Sequence, residues 1–125
     1  MKKLFKLLII ISVSLSFTSC YYDAFPEELD IIDPGTDISY QDDIVPLWVQ
    51  CIGCHKAGGD APNMQDNSYN NLLNGYVVPG NANTSILYKS LLGIDGVSLM
   101  PPGSPWSASK INLVEEWINQ GALNN

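Results

Sequence analysis

Residues 51–55 read Cys51-Ile52-Gly53-Cys54-His55, a C-x-x-C-H pentapeptide that holds the only histidine of the 125-residue chain. This is the spacing by which a haem is attached covalently. In a helical turn, side chains three residues apart share a face, so Cys51 and Cys54 can both reach one porphyrin edge while His55 directs its imidazole at the iron. A cofactor held by two thioethers and an iron bond is not lost by dilution outside a cell, and the chemistry it points to is electron transfer. A C-x-x-C pair also serves redox dithiols, zinc sites and disulfides. A thioredoxin-like dithiol sits in a βαβ setting, whereas the residues before Cys51 read as helix and those after it are rich in Gly, Asn and Pro. A structural zinc site needs four Cys or His ligands, a number the chain reaches only if Cys20 joins all three of the pentapeptide.

The N-terminus is a processing segment and does not belong to the fold. Lys2, Lys3 and Lys6 open it, an apolar run from Leu7 to Phe17 follows, and Thr18 and Ser19 lead into Cys20. Spanning a bilayer of about 30 Å takes ~20 apolar residues, so the run is too short to cross as a helix. It resembles a bacterial lipoprotein signal covering residues 1–19, cleaved before a cysteine that becomes lipidated. Haem attachment uses Cys51 and Cys54 and leaves Cys20 without a partner, which lipidation accounts for. Two or more acyl chains on Cys20 anchor a protein stably without a spanning helix. The next residue is Tyr21 and not the Asp that marks inner-membrane retention in the lipoproteins it resembles, so an outer-membrane address in the cell envelope is expected. That compartment is oxidising, which suits this cysteine usage.

Loss of the leader leaves three lysines, Lys56, Lys89 and Lys110, against 13 acidic residues, a formal charge of three minus 13, or −10. That sign argues against nucleic acid binding. Such acidity either steers a carrier toward a basic patch on a redox partner protein or serves only to keep the chain in solution. Asp23, Glu27, Glu28, Asp30, Asp33 and Asp37 crowd into residues 20–37 with no lysine among them, and Pro26, Pro34 and Gly35 break regular structure. This reads as a disordered, lipidated acidic tether. Its r.m.s. span as a coil is roughly 20 to 25 Å. Residues 38–125 leave room for one small domain, in which a haem supplies the apolar centre that so short a chain cannot build. The apoprotein is expected to be largely unfolded.

From Ser39 onward the pattern is mostly helical. Ser39 or Asp42 caps a first helix carrying Ile44, Val45, Leu47, Trp48 and Val49 into the pentapeptide, with Pro46 in its first turn. A short helix over residues 68–74 offers Tyr69, Leu72 and Leu73. Another starts near Asn83 or Thr84, carries Ile86, Leu87, Leu91 and Leu92, and stops at Gly93. The last is capped by Ser107, presents Ile111, Val114, Trp117 and Ile118, and ends at Gly121. Trp48 and Trp117 are expected in the core where the first and last helices meet.

C-I-G-C-H at 51–55, V-V-P-G-N at 77–81, S-I-L-Y at 85–88, M-P-P-G at 100–103 and W-I-N-Q-G-A at 117–122 follow one another in this order. Over residues 40–122 the chain resembles the class I cytochrome c domains of bacterial surface and periplasmic proteins, especially the planctomycete-type cytochrome c module. The resemblance implies an all-α fold with crossing terminal helices and one covalent haem c between the His-bearing segment and the Met-bearing loop. With no second histidine, the sixth iron ligand is sought among Met, Lys, water or an amine. Met100 is favoured by its position in the resemblance, and Pro101 and Pro102 restrict the loop that presents it; Met64 is the rival. The resemblance also puts Pro62 where a carbonyl orients the ligand histidine. Tyr76, Tyr88 and Trp106 either donate to the haem propionates or fill the pocket wall. An iron carrying His55 and Met100 has no open position for a substrate, which argues for an electron carrier and against an enzyme. A haem module that binds or senses a small gas or peroxide after Met100 detaches is the alternative. Metal delivery to copper by Cys51, Cys54, His55 and a methionine is a third reading that needs no haem.

Overall fold

The computed structural model describes residues 35–125; the expected leader, Cys20 and most of the acidic tether lie outside the described residues. Every regular element among the described residues is helical, giving a small all-α domain. Ser39 starts it with a reciprocal cap. Its Oγ accepts from the Asp42 N–H at 3.2 Å, while the Asp43 carboxylate accepts from the Ser39 N–H at 2.8 Å.

One regular helix was expected from there into the pentapeptide, but Tyr40–Ile44 is a π-helical turn and Val45–Gln50 a 3-10 helix. Pro46 is the reason. It has no N–H for the carbonyl of Asp42 and its ring would collide with that carbonyl. The backbone therefore widens before the proline, with the Val45 N–H bonded to the Tyr40 carbonyl, and tightens after it.

Helix α1 (Ser68–Leu73) buries Leu72. Helix α2 (Ile86–Leu92) buries Leu87 and Leu91, and starts later than the sequence suggests. Ala82–Thr84 forms a separate 3-10 turn capped by Asn81, and the fully buried Ser85 joins the two. The Ser85 hydroxyl donates to the Asn81 carbonyl and accepts from the Val78 N–H, both at 2.9 Å. Gly93 ends α2 with φ of +64°, and a Cβ there would lie 3.1 Å from that of Leu99, so both conformation and space call for glycine. Helix α3 (Ala108–Asn119) buries its stripe of Ile111, Val114, Trp117 and Ile118. It closes in a Schellman motif: the Gly121 N–H reaches the Ile118 carbonyl at 3.0 Å and the Ala122 N–H that of Trp117 at 2.9 Å.

Tyr40 joins these pieces. Its ring lies 5.1 Å from that of Trp117 and meets Tyr69 edge-on at 5.2 Å. Its hydroxyl accepts from Trp48 Nε1 at 3.2 Å and pairs with Ser68 Oγ at 2.7 Å. The first and last helical segments thus do meet, through Tyr40 and Trp117, and Trp48 and Trp117 are both buried. The two ends of the domain are also bonded together. The Gln120 amide accepts from the Ile38 N–H at 2.9 Å and donates to the Thr36 carbonyl at 2.8 Å, while Asn125 Oδ1 accepts from the Tyr40 N–H at 3.0 Å.

Candidate cofactor site

The pentapeptide closes one turn, in which the N–H groups of Cys54 and His55 both bond to the Cys51 carbonyl, at 3.1 and 2.8 Å. The two thiols therefore sit one turn apart and are not joined to each other. Cys51 is half-buried, and burial pushes its thiol pKa up. Beyond His55 the chain doubles back: the Gly59 N–H bonds to the Lys56 carbonyl at 2.9 Å and the Asp60 N–H to that of Cys54 at 3.0 Å. Gly59 passes so close to the Cys54 carbonyl that a Cβ would collide with it.

Cys51, Cys54 and His55 face a mostly apolar cavity of about 250 Å³, whose lining also includes Trp48, Leu72, Leu87, Leu91, Val97 and Pro101. Cys54 and Ile86 are among the lining residues that are also exposed to solvent. Both Met64 and Met100 reach it. The structure brings the two thiols, the histidine and both rival methionines to one cavity. Met64 belongs to the His55 side, since its N–H bonds to the His55 carbonyl at 2.8 Å. Met100 belongs to the α2 side, its N–H bonded to the Ser90 carbonyl at 2.8 Å.

His55 Nδ1 is buried and makes no hydrogen bond. Pro62 lines the cavity, but its carbonyl is not the acceptor expected for that nitrogen. Among the described residues no three His, Cys, Asp or Glu side chains converge to hold a bare metal ion. A porphyrin brings four nitrogens of its own and asks only for axial ligands. Two free thiols and an imidazole on one apolar wall fit a haem bound by two thioethers and one nitrogen.

Of the three aromatic residues assigned to the pocket or its propionates, only Tyr76 lines the cavity. Tyr88 stands beside Glu115, and its pKa is raised by burial first and by that carboxylate second. Trp106 donates its Nε1–H to Gln50 Oε1 at 2.7 Å. Gln50, Asp60, Ser90 and Ser98 supply polar lining that the sequence reading missed. Gln50 had one signal, its place directly before Cys51. No helix among the described residues is long and apolar enough to cross a membrane. Compared with known families, curated proteins and solved structures, the chain matches none.

Proposed function

We propose that this chain is a class I c-type cytochrome, lipidated at Cys20, that carries single electrons between redox proteins in the bacterial cell envelope, at the outer membrane. The observation that supports it most is the convergence of Cys51, Cys54, His55 and Met100 on one apolar cavity. When bound, haem c supplies a one-electron ferrous–ferric couple. Cys51 and Cys54 hold the edge of the macrocycle, and His55 ligates from the wall it shares with them.

Met100 would be the sixth ligand, because it reaches the cavity from the α2 side, whereas Met64 is tied to the backbone of His55 itself. Its soft thioether favours reduced iron relative to a second histidine. Trp48, Leu72, Leu87 and Leu91 keep water from the ring. Ligation of the iron by both His55 and Met100 would leave no position for a substrate, which supports a carrier over an enzyme. The acidic domain steers toward basic partner surfaces.

The test is production in an exporting host that has haem-attachment machinery, followed by intact mass and absorption spectra. One covalently added haem with an iron–sulfur charge-transfer band is expected, and a mass without haem overturns the reading. Carbon monoxide bound freely by the reduced wild type would instead favour a small-ligand sensor.

A further inference from the structure

Trp106 closes the loop that carries Met100, yet it does not line the cavity that Met100 enters. Its ring is 8% exposed and stacks on Trp48, with centroids 6.2 Å and planes 19° apart. The Lys110 ammonium lies 5.9 Å from the ring centroid. Its Nε1–H ends on Gln50 Oε1 at 2.7 Å. Trp48 and Gln50 both line the cavity and lead directly into Cys51.

Between Met100 and Trp106 the backbone holds itself poorly. Pro101, Pro102 and Pro105 have no N–H to give. The one backbone hydrogen bond within this stretch, from the Ser104 N–H to the Pro101 carbonyl, is 3.3 Å long. The near end of the loop is secured to α2 by the Met100 N–H on Ser90 and by Leu99 against Gly93. The far end runs on into α3, and Trp106 ties it to the wall that carries the pentapeptide, through its stack on Trp48 and its bond to Gln50.

We propose that Gln50 and Trp106 form a bolt beside the cavity, holding the Met100 loop closed against the His55 wall and so setting how readily the sixth ligand detaches. Gln50 is a positioning residue, acting on Met100 through Trp106. The proposal rests on the reading of Met100 as an iron ligand. Losing one such bond shifts the balance of closed and open loop by about 2- to 10-fold. The molecule that enters an open loop is a small neutral ligand, because the walls around it are apolar.

The experiment uses holoprotein and compares Gln50→Met, which loses the acceptor, Gln50→Glu, which keeps one, and Trp106→Phe, which keeps the stack without the N–H. The readouts are the rate of carbon monoxide binding to the reduced protein at saturating gas, the iron–sulfur band of the oxidised protein, and Tm. Gln50→Met and Trp106→Phe are expected to raise the rate about 2- to 10-fold, with Gln50→Glu at or below wild type. A Tm loss with an unchanged rate in Gln50→Met assigns the pair a structural role and overturns the bolt. Gln50 is exposed, so its variants fold even where Trp106→Phe does not. Wild type without covalent haem, or Met100→Ala with the iron–sulfur band intact, overturns the underlying reading. A band present in wild type, lost in Met100→Ala, with wild-type rates in Gln50→Met overturns the bolt alone.

Discussion

Replacing Tyr40 by Phe removes one oxygen and leaves the buried Trp48 Nε1–H, bonded to it at 3.2 Å, without a partner. An unsatisfied buried donor costs about 1–3 kcal/mol. The second bond, at 2.7 Å to Ser68, is only half-buried, so Ser68 turns to water and about 0.5–1.5 kcal/mol is lost there. Together the change costs about 1.5–4.5 kcal/mol. In a domain of this size each kcal/mol lowers Tm by about 4–8 °C, so thermal unfolding of the holoprotein by circular dichroism should show a drop of at least about 6 °C. Adding Trp48→Phe removes the stranded donor as well. The double variant should therefore lose at least about 1 kcal/mol less than the sum of the two single losses. A Tyr40→Phe protein within about 0.5 kcal/mol of wild type, or strictly additive losses, would refute the assignment of Tyr40 as the joint of the core. The same residue shapes the alkaline limb of stability. Burial raises the Tyr40 pKa, against weaker opposition from its bonds to Ser68 and Trp48. Its folded pKa lies above the unfolded value of about 10, so its contribution is full below about pH 10 and fades as pH climbs through the folded value. Tyr40→Phe should flatten stability above about pH 10 without abolishing its fall, since Tyr88 is raised as well.

Met100→Ala should remove the iron–sulfur charge-transfer band and admit carbon monoxide to reduced iron, while Met64→Ala should keep the band and lose about 2–5 kcal/mol as a core truncation, read from urea unfolding. Gly59→Ala drives a methyl group into the Cys54 carbonyl, so the yield of covalently attached haem, read by intact mass, should fall several-fold. The haem-free Cys51→Ser, Cys54→Ser double variant should unfold without a cooperative transition. At about 24 cal/mol per Å³ a cavity of about 250 Å³ is worth up to about 6 kcal/mol, comparable with the about 4–13 kcal/mol total expected of a domain this long. A sharp calorimetric transition in that variant would count against a fold built around its cofactor.

The pentapeptide, the α3 stripe and the Gly93 and Gly121 stops were legible because each is local: spacing on one turn, apolar period and left-handed termini. Ser39 was legible as a cap for the same reason. The π-helical turn over Tyr40–Ile44 was not, although Pro46 announced a disturbance, because a proline in a first turn is ordinarily harmless. What decides there is that the cap lies several residues upstream, so Pro46 meets a helix already begun. Ser85 was read as part of a helix start, and its burial between Val78 and Asn81 depends on a loop whose path no local pattern encodes. Trp106 and Tyr88 were placed at the pocket on their chemistry alone. Each turned out to serve a neighbour, Gln50 and Glu115, that only the tertiary fold brings near.

Met64 and Met100 show where sequence separation carries more information than reach. Nine residues of extended chain can cover about 30 Å, so nothing in the length of the connection keeps Met64 from either face of a haem. The connection is not extended, however. Gly59 and Asp60 fold it back on Lys56 and Cys54, and the 2.8 Å bond from Met64 to the His55 carbonyl closes the loop on the wall it left. A methionine can approach from the opposite side only if the chain first leaves that wall and returns. The segment through α1 and α2 does this, and Met100 is set by its bond to Ser90 at the end of that path. Met64 lines the same cavity, but from the wall that carries His55, so a ligand facing His55 would come from Met100.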